Sequence, residues 1–137
     1  MKLERKSLLM VLACALLALG TAQGASAQMM DKLAKTTPQE RAGIQTAYMK
    51  SKLGLAGPEL AKVEAINMKF AEQADPIIKG SDGPFMKMRQ MEAMQKEKDT
   101  ALQGVLTPAQ FKTYQASRAE MKQKFEEAIA KKAGQGQ

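Results

Sequence analysis

Residues 57–78 read GPELAKVEAINMKFAEQADPII, and within them Leu60, Val63, Ile66/Asn67, Phe70, Ala74 and Ile77 recur at intervals of three and four. That spacing lays them along one face of an α-helix, the clearest such stripe in the chain. Pro58 suits the first turn, where its missing N–H has no helical partner to lose. Pro76 predicts a kink or a stop near the other end. Upstream, Thr37-Pro38-Gln39-Glu40 is a capping box with proline at the first helical position. The helix it opens carries Ile44, Ala47, Tyr48 and Leu53, and Gly54 with the Ala56-Gly57-Pro58 break closes it. Downstream, Lys79–Pro84 (KGSDGP) is the strongest internal loop signal.

A third helix is predicted from Phe85 to Val105. Thr107-Pro108-Ala109-Gln110 then repeats the capping chemistry and launches a fourth, with Phe111, Tyr114, Met121, Phe125 and Ile129 on one face. Continuous from Pro108 to Lys132, it makes a rod roughly 35–40 Å long. No stretch alternates with the period of two that a strand needs. The sequence therefore predicts an all-α fold of long helical hairpins, about four helices in number. Its stripes are narrow, and its aromatic residues beyond the leader are only Tyr48, Phe70, Phe85, Phe111, Tyr114 and Phe125. Such helices suit completion against a second chain, so a dimeric cradle is expected, with a monomeric four-helix bundle as the alternative.

The first 27 residues have the layout of a cleaved signal peptide. Lys2, Arg5 and Lys6 precede an apolar run from Ser7 to Leu19, and Ala25-Ser26-Ala27 supplies the small residues of a cleavage site. The run is too short to span a membrane comfortably. Cys14 follows Val11-Leu12-Ala13, a loose lipoprotein pattern, but the apolar run continues past it, which places it in the discarded segment. Residues 28–36 are expected as a flexible N-terminus, 37–132 as the helical domain and 133–137 as a disordered tail. Export points to a periplasmic protein.

Beyond the leader the chain has neither cysteine nor histidine, so disulfides contribute nothing and stability rests on packing. The net charge is +7, and +5 without Lys2, Glu4, Arg5 and Lys6. The charges mostly alternate in sign along predicted helices, with no dense Lys/Arg patch and no interleaved aromatics, which argues against nucleic acid. Catalysis is not expected: no histidine titrates near neutrality, Glu126 and Glu127 point about 100° apart on a helix, and Gly80-Ser81-Asp82-Gly83 is turn chemistry rather than a phosphate loop. No cofactor is implied.

Leu106-Thr107-Pro108-Ala109-Gln110 is an intact LTxxQ motif followed by Phe111 and Tyr114. Leu53-Gly54-Leu55-Ala56-Gly57-Pro58-Glu59 looks like a degenerate first copy, with Ala56 in place of threonine and Glu59 in place of glutamine. With an export signal and long helices, this resembles the Spy/CpxP (LTxxQ) group of periplasmic proteins, over roughly Thr37 to Phe125. The resemblance implies a helical, often dimeric envelope-stress protein; members include ATP-independent chaperones, inhibitors of stress signalling and heavy-metal resistance proteins. Carried onto this chain, Leu55, Glu59, Leu106, Thr107 and Gln110 are motif residues that set the fold.

Met86, Met88, Met91 and Met94 fall within nine residues, interleaved with Lys87 and Arg89 and followed by Lys96 and Lys98. Thioethers bind Cu(I) or Ag(I), but at about 100° per residue Met88, Met91 and Met94 fan across about 120° of a helix, too wide to converge on one ion. Two packing readings stay open. Met91 and Met94 continue a core line toward Ala101, Leu102 and Val105 while Met86 and Met88 shield the helix start, or part of the strip stays exposed as an adaptable, basic-flanked surface. The second reading names Phe85, Met86, Lys87, Met88, Arg89, Met91 and Met94 as a binding surface for unfolded or stress-related envelope proteins. Its alternatives are a soluble regulatory partner of a membrane stress sensor and a methionine-based Cu(I)/Ag(I) or heavy-metal resistance protein.

Overall fold

The computed structural model describes residues 27–135, and all regular structure among them is helical: six helices and no strand. The predicted signal peptide, apart from Ala27, and the last two residues lie outside the described range. Residues 27–34 form α1. The other helices are α2 (Pro38–Leu53), α3 (Gly57–Lys79), α4 (Pro84–Gln103), α5 (Pro108–Ala116) and α6 (Arg118–Gln135). No described helix is long and apolar enough to cross a membrane.

Local chemistry sets the boundaries. At the start of α2, Thr37 Oγ1 accepts from the Glu40 N–H (3.2 Å) and Glu40 accepts from the Thr37 N–H (2.9 Å), the reciprocal pair that the TPQE spacing predicts. Gly54, at φ 65°, closes the helix in the left-handed conformation that glycine adopts without strain. The start of α3 is weaker, because Ala56 at its N-cap has no side chain to offer. At the other end Gly80 is required by space: a Cβ there would lie 2.7 Å from the Pro76 carbonyl oxygen.

Two apolar clusters form the interior. The first gathers Met49, Leu53, Leu55, Val63, Leu102, Leu106 and Tyr114. The second gathers Leu33, Ala74, Ile78 and Ile129, with Met29, Met30, Ile44, Met91, Met94 and Phe125 packed against them. Along α3, Asn67 falls between Val63 of one cluster and Ala74 of the other, fully buried, and its Nδ2 donates to Thr46 Oγ1 (2.9 Å). α2 packs chiefly on α3 and α3 on α4, while α5 and α6 close against α2.

Five expectations are corrected. Residues 28–36 are not a flexible lead-in, because 28–34 lie in α1, which buries Leu33 and ends on the Arg41 guanidinium. Arg41 Nη1 donates to the carbonyls of Leu33 (3.1 Å) and Thr36 (2.6 Å), capturing acceptors that a helix end leaves without partners. Pro76 does not stop α3, which runs three residues further, to Lys79. Both Pro76 and Glu72, whose carbonyl loses its usual N–H partner, are on the exposed face. The helical phase therefore makes Ile78, eight residues after Phe70, the buried residue, and leaves Ile77 half-buried.

The predicted fourth helix is two. Ser117 is buried, and its Oγ donates back to the carbonyls of Thr113 (2.8 Å) and Tyr114 (3.2 Å), a contact that bends helices. That break lets α6 return to the second cluster, where Ile129 is completely buried. Finally, α6 continues through residues 133–135, so those positions are not a disordered tail.

Candidate functional site

The first two turns of α4 carry the most exposed apolar surface. Phe85 is 64% exposed, Met86 48% and Met88 52%, and they are the large hydrophobic side chains left open among the described residues. Gly83 and Pro84 start the helix there without a side-chain cap. The strip is nevertheless held in place. Lys87 Nζ donates to the Ile78 carbonyl (2.9 Å), which ties α4 to the C-terminal end of α3, and Gln90 Nε2 donates to Asp82 Oδ2 in the intervening loop (3.1 Å). The Arg89 guanidinium sits 5.9 Å from the centre of the Phe85 ring, a cation–π distance. Apolar side chains and positive charge thus share the first two turns of α4, with Arg89 beside Phe85 and Lys87 turned toward the end of α3.

The four methionines do not act together. Met91 and Met94 are half-buried and belong to the second cluster, beside Met29 and Met30 of α1. Continuing by four residues twice, the same inward face reaches Lys98 and Leu102. The expectation that Lys98 adds to an exposed basic strip is therefore wrong: it is only 7% exposed. Burial depresses its ammonium pKa to about 8 from the ordinary 10.5, partly opposed by the Asp99 carboxylate. The spacing 91, 94, 98, 102 carried that signal, but a lysine on such a line is easily read as solvated.

The two motif copies meet. Leu55 and Leu106 are buried in the same cluster. Gln110 Nε2 donates to Glu59 Oε1 (2.7 Å) and to the Leu53 carbonyl (3.3 Å), while its Oε1 accepts from the Thr107 N–H (2.9 Å). Thr107 Oγ1 accepts in turn from the Gln110 N–H (3.2 Å). The motif glutamine thus caps its own helix and clamps the α2–α3 junction. Beside it lies an open hollow of about 400 Å³ lined by Gln103, Leu106, Pro108, Phe111, Lys112 and Gln115, which no feature of the sequence had singled out.

Elsewhere an ion pair joins α2 to α3, its Arg41 end buried and its Asp75 end partly exposed. Arg41 Nη2 lies 2.6 Å from Asp75 Oδ1, and Lys79 lies 2.8 Å from Asp75 Oδ2. Hydrogen bonds from Lys79 and Arg41 hold the Asp75 carboxyl below the usual carboxylate range. Among the described residues, no group of three or more His, Cys, Asp or Glu side chains is arranged to hold a metal ion.

The fold and its surfaces define a small all-α protein with an exposed, basic-flanked apolar strip. Residues 22–114 match a family described as a domain of unknown function (DUF4890), and the chain belongs to that family. No curated protein and no solved structure matches it.

Proposed function

We propose that this chain is an exported, ATP-independent chaperone that binds unfolded or stress-related envelope proteins through the start of α4. Phe85, Met86 and Met88 form the contact surface and Lys87 and Arg89 flank it. The observation that carries the reading is the exposure of those three large side chains on an ordered helix, while the remaining bulky apolar groups among the described residues are buried or half-buried. Leaving such surface open costs about 25 cal/mol for each Å² not buried, and contiguous patches of this kind mark interaction sites. Unbranched thioether chains repack around varied partners, and neighbouring cations favour acidic ones. The resemblance to the Spy/CpxP group supports the same class of activity, and the periplasm and a homodimeric cradle belong to the proposal.

The test is suppression of aggregation of a reduced, unfolding model protein without ATP. Wild type is compared with the triple variant Phe85→Gln/Met86→Gln/Met88→Gln, after circular dichroism shows both folded. Protection by wild type that is lost in the folded variant supports the proposal. Absence of protection at any stoichiometry overturns it and favours a dedicated regulatory partner of a membrane sensor, whereas protection that survives the triple change moves the contact surface elsewhere. Sedimentation velocity measures the oligomeric state, and a dimer mass is expected.

A further inference from the structure

A second site opens on the inner face of α4. A cleft of about 80 Å³ is enclosed by α1, α2, α3, α4 and α6, and its polar lining consists of Arg41, Gln45, Gln95 and Lys98. Among the described residues no carboxylate lines it. Its walls are apolar, with Met91, Met94 and Phe125 prominent. The Lys98 ammonium, which carries three N–H protons, has one side-chain partner, Gln45 Oε1. Asp99, next in the chain, is committed elsewhere: it accepts from the Tyr114 hydroxyl (2.8 Å), Gln95 (2.9 Å) and Arg118 (3.0 Å). Arg41 is 2% exposed and its guanidinium nitrogens hold Asp75 and backbone carbonyls, yet its Nε–H is buried with no partner.

Buried cations normally have a counter-charge, because an ammonium taken out of water without one is costly. Arg41 has its counter-charge in Asp75, but Lys98 has no anion of the protein's own inside the cleft. We infer that this cleft binds a small monocarboxylate of two or three carbons, its carboxylate on the Lys98 ammonium and its short tail against Met91, Met94 and Phe125. The class follows from three features together: a donor-only polar end, apolar walls, and volume. A cavity of about 150 Å³ holds benzene, so roughly half that volume suits acetate or propionate and excludes a long acyl chain. The site shares α4 with the exposed strip but does not depend on the chaperone proposal.

The experiment is an NMR titration of the amide signals of the full chain with sodium propionate, beside sodium chloride at equal ionic strength and propylammonium chloride as the cationic isostere. Propionate is expected to give saturable shifts centred on Arg41, Gln45 and residues 91–98, with neither control doing so, and to raise the unfolding temperature. In Lys98→Met, which removes the charge at similar length, affinity is expected to fall about tenfold or more. Absence of a saturable response in wild type at tens of millimolar overturns the inference. So does an equal response to chloride, an undiminished response in Lys98→Met, or shifts centred away from the cleft. If that variant does not fold, the location of the wild-type shifts decides.

Discussion

Lys98→Met makes a quantitative claim about stability. A fall in the folded-state pKa from 10.5 to about 8 corresponds, at about 1.4 kcal/mol per pKa unit, to about 3 kcal/mol by which burial disfavours the charged lysine. The sign follows from proton counting. Between pH 8 and 10.5 the unfolded chain keeps the Lys98 proton and the folded chain has released it, so stability rises with pH through that window. Below pH 8 the cost is fully present. Burial and a hydrogen bond to Asp99 push the Tyr114 hydroxyl pKa up, and its contribution is lost only as pH exceeds the ordinary tyrosine value of 10. The measurement therefore stops at pH 10. Urea unfolding of wild type is expected to gain about 2 kcal/mol between pH 7 and 10, while Lys98→Met stays nearly flat. At pH 7 the variant should be the more stable protein, since an apolar chain in place of a buried charge is neutral or stabilising. Gln45, half-buried, can turn to water once its partner is gone. A Lys98→Met protein less stable than wild type at pH 7, or a wild type with no rise toward pH 10, would refute the reasoning.

Asp75→Asn leaves the Arg41 guanidinium buried without a carboxylate and is expected to cost about 3 kcal/mol in urea unfolding at pH 7. Because the Asp75 pKa is depressed in the folded state, wild type should lose that increment as pH falls through the acid range, and the variant's deficit should shrink there. Gln110→Ala removes a cap and the clamp on Glu59, for about 1–2 kcal/mol, and a double-mutant cycle with Glu59→Ala should return a coupling of about 1 kcal/mol. Ile129→Ala, at a completely buried position, is expected to cost about 3 kcal/mol by calorimetry, while Met86→Gln should change stability by less than about 0.5 kcal/mol. In hydrogen exchange, amides of 85–94 should exchange faster than those of 63–74 and slow when an unfolded client is added; equal rates in the free protein would contradict that order.

Much of the fold was legible because its signals are local. Capping boxes at Thr37 and Thr107, glycine at 54 and the three-and-four spacing from Leu60 onward depend on neighbours within a turn or two, and each element they predict is present. The misses depend on contacts distant in sequence or on a single side chain turned inward. α1 is anchored by Arg41 and by apolar neighbours as far away as Ile129. Ser117 breaks the last rod through a back-bonded hydroxyl that looks no different in sequence from a solvated one. Of the candidate strip, exposure of Phe85, Met86 and Met88 could be proposed but not decided from spacing, because periodicity assigns residues to faces without saying which face meets the rest of the protein. The inward turn of Met91 and Met94 follows only once α1 and α6 arrive.

Both candidate sites therefore rest on α4, and its construction explains why. Between Pro84 and Glu97 the helix has no fully buried residue; its deep anchors are Lys98 and Leu102 near the other end. The exposed half is restrained by polar ties to the end of α3 and by half-buried methionines, contacts that yield at low cost. The anchored half includes an ammonium that opposes its own burial, so α4 is held less firmly than its length suggests. A carboxylate on Lys98 would remove that opposition and stabilise the inward face of α4. Because Met91 and Met94 line that cleft and lie one to two turns after Met86 and Met88, filling the inner site with propionate should also slow amide exchange at 85–88, and unchanged rates there would show that the two ends of α4 move separately.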